Sequence, residues 1–172
     1  MEIIARVKEV FQKEIDEVIK VRDRVGIEVE KCIKMILETK GKVVITGVGK
    51  SGHIGKKLAA TFSSTGTLTI FMHSTEGLHG DLGMIHGDDL VIAISNSGNS
   101  EEVLSIIPSI KKIGCKIVAI TGNKNSKLAK ESDCILDVGV EKEACPMNLA
   151  PTCSTTTTLV MGDAIAAALI AI

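Results

Sequence analysis

The stretch Ser95-Asn96-Ser97-Gly98-Asn99-Ser100-Glu101-Glu102 constrains this chain more than any other. Before it lies Asp89-Leu90-Val91-Ile92-Ala93-Ile94, which reads as a buried strand, and after it Val103-Leu104-Ser105-Ile106-Ile107, which reads as the start of a helix. Strand, hydroxyl-rich turn, helix: this order aims free backbone N–H groups and serine hydroxyls at one point, and the helix dipole adds partial positive charge there. Such a point binds a phosphate without arginine or lysine. A helix cap accounts for one serine. It does not account for three serines in six positions directly after a buried strand. A second turn of the same kind lies upstream, at Gly47-Val48-Gly49-Lys50-Ser51-Gly52-His53. The two turns are read together as holding one phosphorylated small molecule.

The rest of the chain alternates in a way that fits both turns. Residues 2 to about 38 predict helix, because Ile4, Val7, Phe11, Ile15, Val18 and Ile19 recur at helical steps with Lys and Glu between them. Gly26 divides this arm into two helices. Strands are expected at 42–46, 68–72, 90–94, 116–121 and 134–138, and helices at 51–63, 101–113, 126–131 and 155–172. Residues 73–88 read as turns and 141–152 as irregular chain. Pro108 weakens the helix expected around it, and Ser126 is placed to open the next. Strands alternating with helices imply a parallel sheet covered on both faces. The expected fold is therefore α/β, a five-stranded parallel sheet in a flavodoxin-like order. The ligand belongs at the carboxyl ends of the strands, where both turns sit. One domain spans 1–172: a helical arm over 1–38, then an α/β core over 42–172 that binds the phosphate. The arm is unusual for a plain doubly wound domain and suggests packing on another subunit.

Composition narrows the partners. Trp and Tyr are absent and Phe numbers 3, so the core is aliphatic and stacking platforms for single-stranded nucleic acid are missing. The formal net charge is -1, which forces no basic face and makes nucleic acid and anionic membrane poor partners. The 5 cysteines form no C-x-x-C pair and are odd in number, as reduced cytoplasmic thiols would be. The N-terminus has charges throughout and no signal-peptide core. The apolar run near the C-terminus carries Asp163 behind a row of hydroxyl residues, and reads as too short and interrupted for a membrane span.

Gly47 to Gly52 is literally G-x-G-x-x-G between a strand and a helix. A dinucleotide site would also want an acid closing the second strand, where this chain has Phe71-Met72-His73. A Walker A loop would want glycine at position 44, which is valine. Lys50 reads either as an exposed lysine near a helix start, mildly unfavourable against the dipole, or as a charge placed for a neighbouring anion or enediolate. Favourable first-turn charge accounts for Glu102 as well as a functional role does. His79, in a glycine-flanked loop, reads equally as functional or solvated. Glu143, in Glu143-Ala144-Cys145-Pro146, is expected to have a raised pKa, suiting a general base, or else to be an ordinary surface glutamate. Hydroxyls from Thr152 to Thr158 either cap the last helix or reach the ligand. His73 and His86 read as structural. The 4 histidines lack zinc-ligand spacing, so no catalytic metal is expected.

Taken together, these motifs resemble the sugar isomerase (SIS) domain family. Within it the chain is similar to the arabinose-5-phosphate isomerases over about residues 40 to 172. That closer likeness rests on Glu76-Gly77-Leu78-His79-Gly80-Asp81-Leu82-Gly83-Met84, on Lys142-Glu143-Ala144-Cys145-Pro146 and on Leu149-Ala150-Pro151-Thr152. The resemblance implies interconversion of D-arabinose 5-phosphate and D-ribulose 5-phosphate, a step toward the acidic sugar of lipopolysaccharide in Gram-negative organisms. It implies a cytoplasmic homotetramer without organic cofactor, with active sites built from more than one subunit. Phosphate binding carries over to Ser51, Ser95, Ser97 and Ser100, with Asn96 lining the pocket, and the catalytic set to Lys50, His79, Glu102 and Glu143. Family members usually continue into a Ser-His-Pro-Gly-Gly segment and a pair of CBS domains, whereas this sequence stops at Ala171-Ile172. The alternatives are a non-catalytic sugar phosphate sensor and an isomerase of a hexulose 6-phosphate.

Overall fold

Three strands of the sheet are buried along nearly their whole length, and their composition says why. β1 (Val43–Gly47), β3 (Leu90–Ile94) and β4 (Lys116–Thr121) are near-continuous apolar runs, buried except at Lys116. Strands covered on both faces need such runs. β2 (Thr69–His73) and β5 (Cys134–Asp137) are only partly buried and form the two edges. The computed structural model describes residues 2–172, so Met1 of the expected arm lies outside the described residues. All pairings are parallel, in the order β2-β1-β3-β4-β5. This is the expected flavodoxin-like order.

The helices are α1 (Ile3–Asp23), α2 (Ile27–Glu38), α3 (Gly49–Ser64), α4 (Ser74–Leu78), α5 (Glu101–Ile113), α6 (Lys127–Glu131) and α7 (Cys153–Ile170). The two-residue period of the strands divides the core. Val43, Ile45, Ile92, Ile94, Val118 and Ile120 face a layer that includes Met35, Leu58, Phe62, Met161 and Ile165 from α2, α3 and α7. Val44, Val91, Ala93, Ile117 and Ala119 face Val103, Ile106, Ile107 and Ile110 of α5. Helix α3 comes in very close behind β1. A Cβ on Gly52 would lie 3.1 Å from the Gly47 carbonyl oxygen.

Gly26 caps α2 and separates it from α1, as expected. Ser126 caps α6, its hydroxyl accepting the Ala129 N–H at 3.2 Å. Two expectations, those for residues 73–88 and for the last helix, need correction. Residues 73–88 are not all turns: they hold α4 and a 3-10 turn over Asp81–Met84, whose short lengths left no helical period to read. Helix α5 keeps its expected bounds and runs through Pro108, which sits on the exposed side and forgoes only its own bond to Leu104. Helix α7 begins at Cys153 and, by length and composition, is apolar enough to cross a bilayer. It is instead packed along α3, where a Cβ on Gly162 would come within 2.9 Å of Leu58 Cγ, and Asp163 pairs with Lys57.

Candidate functional site

The chain leaves β1 toward β2 on one side and returns to β3 on the other. This reversal opens a crevice beyond the carboxyl ends of β1 and β3, the usual ligand position in an open α/β sheet. The turn after β1 and the turn after β3 form its two lips. A cleft of about 210 Å³ lies there. Its polar walls are Lys50, Ser51, Asn96, Ser154, Thr155 and Thr158, and its apolar walls are Val48, Ile54 and Pro151. Three elements therefore meet at one point: the start of α3, the loop after β3, and the start of α7. Larger hollows lie along β5, about 320 Å³, and between α5 and α6, about 700 Å³, but neither holds a predicted site residue.

Helix α3 arrives with its first N–H groups uncovered. Its cap position is Val48, which has no side-chain acceptor to offer. The loop after β3 is tied into itself. Ser95 is buried, its hydroxyl lies 2.8 Å from that of Ser100, and it accepts the Gly98 N–H at 3.1 Å. Ser97 Oγ accepts the Asn99 N–H at 3.2 Å. Ser100 holds the cap position of α5 yet makes no side-chain cap bond, because its hydroxyl turns to Ser95. The start of α5 thus also keeps free N–H groups. The Asn96 carbonyl is pinned by the Gly122 N–H at 2.9 Å, which leaves its exposed side chain at the cleft.

Helix α7 is capped differently. Glu143 Oε2 accepts the Thr152 N–H at 2.8 Å, the Thr152 hydroxyl at 3.0 Å and the Ser154 N–H at 3.2 Å. Burial pushes the Glu143 carboxyl up, but bonds from Ser154 and Thr152 outweigh it and hold the group below the ordinary carboxylate range. This reverses the expected direction. The apolar sequence neighbours pointed to desolvation, whereas the fold brings donors from a helix start nine residues away.

Residues 35–168 match the SIS domain family. The chain belongs to the SIS domain family. It is 53% identical over 165 residues to the arabinose 5-phosphate isomerase KdsD of Francisella tularensis, covering 94% of this chain and 50% of that protein. It is 57% identical over 139 residues to KdsD of Escherichia coli K12, covering 81% of this chain and 42% of that protein. The chain thus spans about half the length of the curated relatives it matches. Among solved structures, an Escherichia coli CFT073 protein in complex with A5P superposes with a TM-score of 0.96 at 45% identity, covering 99% of this chain and 93% of that one.

Within this SIS domain, the cleft brings together Lys50, Ser51 and Asn96 of the predicted residues. Ser95, Ser97 and Ser100 build the adjoining loop, and their hydroxyls serve its internal bonds. Glu143 stands behind Ser154, at the head of α7. His79 directly follows α4 and Glu102 lies in the first turn of α5; both are exposed and neither lines the cleft. Thr155 and Thr158, in the hydroxyl run that was left between capping and ligand contact, do line it. His73 was read as structural. Its Nδ1 is buried without a hydrogen-bond partner, at the carboxyl end of β2 beside Gly47. Among the described residues, no group of three or more His, Cys, Asp or Glu converges as a metal site.

Proposed function

We propose that this SIS domain is an aldose–ketose isomerase that interconverts D-arabinose 5-phosphate and D-ribulose 5-phosphate through an enediol. One observation carries the reading: the chain superposes over 99% of its length on a relative holding A5P. The kinship to named arabinose 5-phosphate isomerases agrees with it. The cleft supplies what that chemistry needs. The phosphate sits among the Ser51 hydroxyl, the first N–H groups of α3 and the Ser95–Ser100 loop, gripped by dipoles. That grip places the reacting carbons.

Isomerisation moves one proton between neighbouring carbons and one between their oxygens. Glu143 takes the carbon proton: its carboxylate is held ionised, one hydrogen bond behind a residue of the cleft wall. Lys50 stabilises the enediolate, and His79 opens the sugar ring. Glu102 is the second carboxylate of the set. Each acid or base contributes on the order of 10²–10⁴ in rate.

His79 and Glu102 lie outside the cleft of their own chain, which fits a site completed by a second copy. The arm supports this. Ile4, Val7, Phe11, Ile15 and Ile19 form an exposed apolar stripe along α1, and a stripe of this kind marks an interaction surface. The proposed assembly is a homotetramer working in the cytoplasm, upstream of the acidic sugar of lipopolysaccharide.

Proton NMR of the chain with D-arabinose 5-phosphate in heavy water tests the function. Ribulose 5-phosphate should appear with deuterium in the sugar. Binding without exchange would instead make the domain a sugar phosphate sensor. Turnover of only a hexulose 6-phosphate would keep the isomerase and change its substrate.

A further inference from the structure

Thr152 opens α7 without capping it. Its backbone sits at φ -135 and ψ -76, and its side chain accepts nothing from the helix. The hydroxyl instead works in two directions. It donates to Glu143 Oε2 at 3.0 Å and accepts the Ala144 N–H at 2.9 Å. Its own N–H donates to the same carboxylate oxygen at 2.8 Å. With the Ser154 N–H at 3.2 Å, three donors converge on Oε2. The loop residue after Glu143, the Glu143 side chain and the start of α7 are thereby closed into one ring of bonds.

We infer that Thr152 is a positioning residue, one that saturates Oε2 of Glu143 and so leaves Oε1 as the oxygen that meets the substrate proton. This rests on the reading of Glu143 as the carbon base. A carboxylate oxygen offers about two lone-pair directions. Three donors fill Oε2, so a proton reaching Glu143 has its open place on Oε1. The bond between Ala144 and Thr152 fixes where the threonine hydroxyl stands. The double contact from Thr152 then fixes the carboxylate plane. The same bonds hold the negative charge over the positive end of α7, where it is stabilised. The Ser154 hydroxyl also faces the carboxylate, Cys153 on α7 is a titratable group beside it, and Glu141, Lys142 and Cys145 lie within two residues of it in its own loop. Thr152→Val leaves these residues in place and, besides its contact to Glu143, removes the threonine hydroxyl's contact to Cys153.

Thr152→Val removes the hydroxyl and keeps the shape; Thr152→Ser restores the hydroxyl. Thr152→Ala makes the same comparison should valine not pack. The first readout is the carboxyl carbon of Glu143, followed by NMR against pH in the full chain and assigned with Glu143→Gln. The Glu143 midpoint should rise in the valine variant and return in the serine variant. An unchanged midpoint overturns the inference, and this measurement needs no turnover. The second readout is kinetic. kcat for D-arabinose 5-phosphate should fall on the order of ten-fold at nearly constant KM, the scale expected from a misplaced base. Serine should restore it. Equal loss in the serine variant overturns the positioning role. A wild-type chain without turnover removes the isomerase reading, while the titration still decides whether Thr152 holds Glu143.

Discussion

Gly98 offers the sharpest test of how the loop after β3 is built. It stands at φ +64, in the left-handed region, at the centre of the Ser95–Ser100 turn. Its N–H reaches the Ser95 carbonyl at 3.0 Å, and its carbonyl accepts the Leu128 N–H at 3.0 Å. A Cβ there would overlap Ser126 Oγ and Cβ and come within 2.9 Å of Thr121 Oγ1. Ser126 cannot step aside cheaply, because it is buried and its hydroxyl caps α6. Gly98→Ala therefore meets two costs, roughly 1–2 kcal/mol for the left-handed backbone and roughly 1–3 kcal/mol for the crowding. Gly49 separates them. It has φ +55 but nothing within 4 Å of its would-be Cβ. Gly49→Ala should lose only the backbone part, about 1–2 kcal/mol. Urea unfolding at one fixed protomer concentration measures both variants. Gly98→Ala should be less stable than Gly49→Ala by at least about 1 kcal/mol. Equal losses would refute the crowding argument. A Gly98→Ala variant as stable as the parent would refute the loop geometry itself.

Asp89, 2% exposed in its side chain, takes bonds from Lys42 Nζ at 2.7 Å, the Lys42 N–H at 2.9 Å and the His86 N–H at 2.8 Å. Burial pushes its carboxyl up, but the Lys42 and His86 bonds outweigh this and hold it below the ordinary range. Its contribution is thus present above the unfolded value of about 3.9 and is lost as pH falls through the folded value. Asp89→Asn should cost about 3 kcal/mol at neutral pH and much less at acid pH; urea unfolding at both pH values checks it, and a cost independent of pH would refute it. Glu143→Gln should lower kcat by about 10²–10⁴ while calorimetry shows sugar phosphate still binding. Near-normal turnover would pass the base role to Glu102. Phe11→Glu, in the exposed stripe of α1, should shift sedimentation to a smaller species; an unchanged species would show the stripe lies outside the assembly.

The sheet was legible in the sequence because its signal is local. Val43-Val44-Ile45 and Leu90-Val91-Ile92-Ala93-Ile94 are buried on both faces, so every residue reports its surroundings without reference to a partner. The two turns at the cleft were legible for the same reason: hydroxyls and glycines directly after a strand stand out in the sequence itself. What could not be read was the direction of each hydroxyl. Ser95 and Ser100 look like ligand groups in sequence, and the fold spends their hydroxyls on each other. Glu143 shows the limit best. Its neighbours in sequence are Ala144 and Cys145, but its neighbours in space are Thr152 and Ser154, and these set its charge. A pKa depends on contacts across space, and periodicity holds no record of those. The unpartnered Nδ1 of His73 likewise left no trace in the sequence, since it exists only once the strand is packed.

Helix α1 inverts the usual arrangement of a surface helix. A helix docked on its own domain normally turns its apolar stripe inward. The buried residues of α1 are Glu17 and Val21, while Ile4, Val7, Phe11 and Ile15 face outward. What fastens the helix is directional. Glu14 accepts the Thr156 hydroxyl at 2.6 Å, Glu17 accepts the Glu141 N–H at 2.9 Å, and Lys20 bridges Glu17 and Glu141. Two of these tethers land on Glu141, two residues before Glu143, and a third on the first turns of α7, next to Thr155 in the cleft wall. The buried side of α1 is thus tied by side-chain contacts to the segment carrying Glu143 and to the start of α7. A copy of the chain seated on that stripe would lie behind the helix whose other side contacts Glu141, two residues before Glu143. Turnover in Phe11→Glu should therefore fall together with assembly, and recover when high protein concentration restores the larger species.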